Sequence, residues 1–108
     1  MMDELLMSVN KLTAEEKARA DERFGPHKSL HEGFGVLAEE IQEFHGVACD
    51  LTLARLNGLL ASIRVGDDPE IRCTLADVKR YAQLAAAEAI QVAAVCDRFM
   101  ELVKKEES

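Results

Sequence analysis

Apolar residues in this chain recur at intervals of three and four, and the alternation of Val, Ile, Thr and aromatic residues that marks a half-buried strand is missing throughout. The pattern predicts helices and nothing else. Two stretches interrupt it, "FGPHKS" around residues 24–29 and "VGDDPE" around 65–70, because Gly and Pro end helices there. Three pairs have the spacing in which a hydroxyl accepts a free backbone N–H and an acid three residues on answers it: Thr13 with Glu16, Ser29 with Glu32, and Thr74 with Asp77. Together these signals predict a short helix near 2–10, a polar one near 14–23, a central one near 30–47, a fourth near 52–64 and a long last one near 75–105. The expected fold is all-α, a bundle of about four to five helices forming one domain over residues 1–108.

Two apolar stripes stand out. Phe34, Leu37, Ile41 and Phe44 line one side of the central helix, and Leu53, Leu56, Leu60 and Ile63 line the fourth, each stripe placed to face a core. The last helix asks for more cover than one small chain supplies. Thirty residues at 1.5 Å rise span about 45 Å, whereas a compact domain of this size is only about 35 Å across. Between Ala82 and Cys96 it is apolar nearly all the way round, and such a helix has to be enclosed on every side. The pattern therefore predicts that the fold is completed by oligomerisation, as a homodimer or a dimer of dimers.

Charge narrows the partners. Twenty acidic against 13 basic residues give a formal charge of −7, which repels phosphate backbones and excludes bare nucleic acid as the expected ligand. A phosphorylated ligand would need a cation as a bridge. Cys49, Cys73 and Cys96 are widely spaced, with no CxxC pair, and read as buried thiols in a reducing compartment. The first ten residues, "MMDELLMSVN", lack the basic start of a signal peptide, and no apolar run reaches membrane-spanning length. The expectation is a soluble cytoplasmic protein with no membrane partner.

Glu88 is the only charged side chain within "AQLAAAEAIQVAAVC", residues 82–96. Burying a carboxylate unpaired costs several kcal/mol, so it must reach solvent, pair with a base from another helix, or bind a cation. Its neighbours at three and four residues are Leu84, Ala85, Gln91 and Val92, none of them basic. In the central helix, Glu40 borders the apolar stripe at about 70° from its centre and Glu43 follows one turn on, while Glu39 points further towards solvent. Two carboxylates at that spacing repel by a few tenths of a kcal/mol on an exposed helix. A hard divalent cation such as Mg²⁺ or Mn²⁺ between them reverses the sign. Gly33 and Gly35 each cost the helix up to about 1 kcal/mol, and serve either close helix packing or room for a ligand. His31 adjoins the acids and either caps the helix or donates to a phosphate; His27 and Lys28, in the preceding turn, are loop residues or grips for a phosphate tail.

These phrases resemble the MazG-like branch of the all-α nucleoside triphosphate pyrophosphohydrolases, which carry an EExxE pattern on one helix and an ExxD pattern on a later one. "EEIQE", Glu39 to Glu43, matches the first half in full. "EAIQ", Glu88 to Gln91, matches the second with Gln91 where the pattern has Asp. The phrases "HKSLHEGFGVLAEEIQEF" and "AEAIQVAAVCDRF" are similar to a subgroup of small bacterial and phage MazG-like proteins in which that Gln is familiar. The resemblance covers about 24–47 and 86–102, and leaves about 48–80 unmatched.

It implies Mg²⁺ held at Glu40, Glu43 and Glu88, with Gln91 as a neutral fourth ligand and Glu39 as a further candidate. Glu39 and Glu43 are then the carboxylates available to orient a water, and His27, Lys28 and His31 the substrate-binding candidates. The implied activity is cleavage of a nucleoside triphosphate to monophosphate and pyrophosphate. Gln91 lowers the charge of such a site by one and cannot act as a base. Two other readings stay open: a noncatalytic homo-oligomeric binding or assembly protein that keeps the fold, and a regulatory partner that uses the long apolar helix to bind a different chain.

Overall fold

The computed structural model describes residues 2–107, and every regular element among them is helical. Helix α1 runs Met2–Phe24, α2 Leu30–His45, α3 Thr52–Val65 and α4 Asp68–Glu107. A π-helical segment, Gly46–Leu51, joins α2 to α3 without a break, so Leu30–Val65 is one helix of 36 residues. The all-α expectation holds. Among the described residues the number of separate helices is three, fewer than the pattern predicts.

Each difference has a local cause. Thr13 does not start a helix; its hydroxyl donates to the Val9 carbonyl at 2.9 Å, the back-bond of a threonine inside a helix. With no Gly or Pro between residues 10 and 14, nothing stops α1 there. Ser29 does start one, its hydroxyl accepting the Glu32 N–H at 3.1 Å. Thr74 is buried inside α4, and the start has moved upstream, where the Asp67 carboxylate accepts the Glu70 N–H at 3.2 Å. Pro69 then occupies the first turn, where its missing N–H has no partner to lose. The turn between α3 and α4 is short because Gly66, at φ +71°, adopts the left-handed conformation; its N–H donates to the Ile63 carbonyl and that of Asp67 to Ser62. In the π-helical segment the Thr52 hydroxyl donates to the Val47 carbonyl five residues back, at 2.9 Å, matching the wider turn.

The chain divides into two compact units, residues Met1–Ile41 with Glu88–Ser108, and Gln42–Ala87. In the first, α1 and the C-terminal half of α4 are tied by a charged network. Arg98, buried on α4, donates through Nε to Asp21 at 3.0 Å and through an Nη to the Gly25 carbonyl at 2.6 Å. Lys17 bridges Asp21 and Glu101, each at 2.7 Å. The Lys17 hydrogen bond holds the Asp21 carboxyl below its ordinary value, with Arg98 adding to it. Among the described residues, Ala94, Val95 and Leu102 of α4 are the buried apolar ones; of the cysteines expected to be buried, Cys49 and Cys96 are half-buried and Cys73 is exposed.

In the second unit an Arg55–Asp77 pair at 3.4 Å links α3 to α4. Here the predicted stripe faces no core of its own chain: Leu53, Leu56, Leu60 and Ile63 are 59, 54, 50 and 54% exposed. Phe34 and Ile41 of the other stripe are also exposed. Joining α2 to α3 also corrects the reading of membrane-spanning length. By length and composition alone the resulting helix is long and apolar enough to cross a membrane, its most apolar 18-residue stretch having a mean hydropathy of 1.2.

Candidate functional site

The first unit brings Glu40, Glu88 and Gln91 together from two helices. Glu40 and Glu88, both half-buried, each place a carboxylate oxygen within 4.8 Å of the other. Gln91 lies three residues after Glu88 on α4. In the orientation that satisfies its hydrogen bonds, its amide nitrogen donates to Glu88 Oε2 at 3.2 Å and to Glu40 Oε2 at 3.1 Å. An amide NH₂ between two carboxylates offsets their repulsion, the task a cation would otherwise perform. Asp at this position could not do it. The uncharged residue at position 91 is thus a working part of this arrangement.

Glu43 follows Glu40 by three residues on α2, and Glu39 precedes it; both are exposed. The oxygen-rich donor set fits a hard cation of the Mg²⁺ class, and Gln91 can present its carbonyl oxygen once its amide turns over.

A cavity of about 440 Å³ opens in the same unit, between α1, α2 and α4. Glu40 and Gln91 line it together with Glu16 of α1; Phe24, His27, Glu32 and Arg98 also line it, with Val36, Ala94 and Val95 along the wall. Of the three substrate-binding candidates only His27 reaches this cavity; Lys28 and His31 are exposed elsewhere. His27 is 4% exposed, and neither ring nitrogen has a hydrogen-bond partner among the described residues. Burial lowers its pKa, Arg98 lowers it further, and Glu32 and Asp21 oppose them. The imidazole is therefore neutral at pH 7, one donor and one acceptor rather than a cation for phosphate.

Gly33 has the packing role of its two alternatives. A Cβ there would lie 2.9–3.1 Å from three carbons of the Phe99 ring, and Phe99 in turn meets the His27 ring edge-on at 6.3 Å. Gly35 has open space around it.

Arg98, Phe24, Glu32 and Glu16 are cavity residues that the sequence did not single out. Glu16 and Glu32 carried only a capping signal, as the partners of Thr13 and Ser29, and of these only the Ser29–Glu32 cap forms. Arg98 takes its place from Asp21, 77 residues away, a pairing that no local spacing announces. Comparison with protein-family models, with curated proteins and with solved structures finds no match to this chain.

Proposed function

We propose that this chain is a Mg²⁺-dependent nucleotide pyrophosphohydrolase of the MazG-like all-α kind, working in the cytoplasm as a homodimer or homotetramer. The observation that carries the reading is the meeting of Glu40 and Glu88, 48 positions apart in sequence, beside a cavity of about 440 Å³. A half-buried carboxylate pair of which one member, Glu40, lines a pocket of that size is costly for a scaffold and useful to an enzyme. Glu40 and Glu88, with Gln91 through its carbonyl, would hold the cation. A cation held there would supply charge neutralisation for the phosphates and activation of a water as nucleophile.

The protein's own part is positional. The cavity walls exclude water from the nucleoside, the carboxylates fix where the phosphates lie, and Glu39 or Glu43 accepts a hydrogen bond from the attacking water. The apolar faces of α2 and α3, exposed in the single chain, support the oligomer. Pyrophosphate release from each common deoxy- and ribonucleoside triphosphate, with and without Mg²⁺ or Mn²⁺, tests the activity. Metal-dependent release from at least one is expected. Release from none, with folded protein, would refute it for these substrates.

The exposed α3 stripe favours a second reading, a noncatalytic assembly protein built on the same fold. Under it, Leu56→Glu would break the oligomer while nucleotides with Mg²⁺ leave the melting temperature of wild type unchanged.

A further inference from the structure

We propose that the cavity of the first unit is the base-binding subsite and that it selects a guanine nucleotide. This rests on the nucleotide reading above and goes beyond it by naming the base. The cavity lining joins Glu40 and Gln91, which meet, to Phe24, His27 and Glu32; Glu32, eight residues before Glu40 on α2, marks the far end. Eight residues of α2 at 1.5 Å rise separate Glu32 from Glu40 by about 12 Å, room for a purine nucleoside between its phosphate and the far edge of its base. The volume lies within the range of about 300–1,000 Å³ that small-molecule sites occupy.

The far end reads the base by three means. Phe24, the last residue of α1, is 68% exposed and offers an aromatic ring for stacking, with the Arg23 guanidinium 5.1 Å from its centroid. Arg98 is already engaged by Asp21 and the Gly25 carbonyl, which leaves the Glu32 carboxylate as the charged acceptor at this end. A carboxylate accepts two parallel N–H bonds. Among the common bases only guanine presents a ring N–H beside an exocyclic amino group. The third group is His27, whose ring nitrogens lack any partner among the described residues. Neither nitrogen touches solvent, so a small turn of the imidazole is what presents its N–H to a purine oxygen or nitrogen.

The test is titration of the full-length protein with GMP, IMP, AMP, CMP and UMP in Mg²⁺, following backbone amide shifts by NMR. Monophosphates require no turnover, so the result is separable from the hydrolytic reading. GMP should bind tightest, and IMP, which lacks the amino group, roughly tenfold more weakly. Glu32→Gln should bring GMP down to the level of IMP and leave AMP unchanged, and Phe24→Ala should weaken all five together. An unchanged GMP-to-IMP ratio in Glu32→Gln, or shifts confined to amides outside the cavity, would overturn the proposal even where pyrophosphate release is found. Selective GMP binding without pyrophosphate release from any common deoxy- or ribonucleoside triphosphate would uphold the subsite and refute the hydrolase for these substrates.

Discussion

Gln91→Asp probes what the amide does between Glu40 and Glu88. The substitution removes two hydrogen bonds, at 3.2 and 3.1 Å, to charged acceptors. Such bonds contribute roughly 1.5–3 kcal/mol each, and the lower figure applies at half-buried positions, giving about 3 kcal/mol for the pair. The new carboxylate then meets two others. At the 4.8 Å that bounds the Glu40–Glu88 separation, a like-charge pair costs about 1 kcal/mol in a water-like medium and about 3.5 at an effective dielectric of 20. A shorter Asp side chain stands further back, so about 1 kcal/mol in total is the fair addition. Loss of about 4 kcal/mol should lower the melting temperature by on the order of 15 °C.

Mg²⁺ should reverse most of this. At a hundredfold excess over its dissociation constant a ligand returns about 2.7 kcal/mol, and the variant has one more charged oxygen ligand than wild type. Melting in chelator and in Mg²⁺, by circular dichroism, gives both numbers for both proteins. Equal melting temperatures in chelator would refute the bridging role of the amide. A Mg²⁺-induced rise no larger in the variant than in wild type would refute the site as a cation site.

The two glycines of α2 should respond with opposite sign to Ala: Gly33→Ala drives a methyl into the Phe99 ring and should cost about 1–3 kcal/mol, whereas Gly35→Ala meets nothing and should gain up to about 1 kcal/mol, both read by urea denaturation. Arg98→Met removes the buried partner of Asp21 and of the Gly25 carbonyl and should cost about 3–5 kcal/mol, detected as a shift of the urea midpoint. For His27 the folded pKa is lowered from 6.5, so below pH 6.5 the unfolded chain binds a proton that the folded one resists, and stability falls as pH falls. His27→Phe should flatten that limb below about pH 6.5 and leave the loss at lower pH where the depressed Asp21 carboxyl takes up its proton.

The helical class was legible because helix period and the absence of strand alternation are local properties. Boundaries were legible where side-chain chemistry was unambiguous, as at Ser29, Gly25 and Gly66. Thr13 misled because a hydroxyl satisfies a backbone group equally well by reaching back four residues inside a helix, and Thr74 because Asp67 already starts α4 upstream of it. Nothing in the sequence marked the π-helical turn at Gly46–Leu51 as continuous with both flanking helices, so α2 and α3 read as separate. The apolar stripes lie on the helices the pattern assigns, but Phe34, Ile41 and the whole α3 stripe are exposed rather than facing a core of their own chain, since periodicity says which face is apolar and not whether the chain covers it.

At the site, the carboxylates Glu40 and Glu88 were visible as an expensive pattern, and their meeting is what the fold adds. The role of Gln91 was hidden. As a letter it is a missing Asp; in three dimensions it is the donor that both acids share. His27 was placed near the ligand from its position in the turn, but its burial, and so its neutrality, depends on Phe99 and Arg98 arriving from the far end of the chain.

The most direct test of the central claim compares pyrophosphate release by wild type and Glu88→Gln, in Mg²⁺ and in chelator, with sedimentation and circular dichroism run on both proteins. Metal-dependent release by wild type, abolished in a variant that keeps its helicity and its oligomer, is the result predicted here. Wild-type turnover in Glu88→Gln would contradict it, because the carboxylate on which the proposed cation depends would then be dispensable.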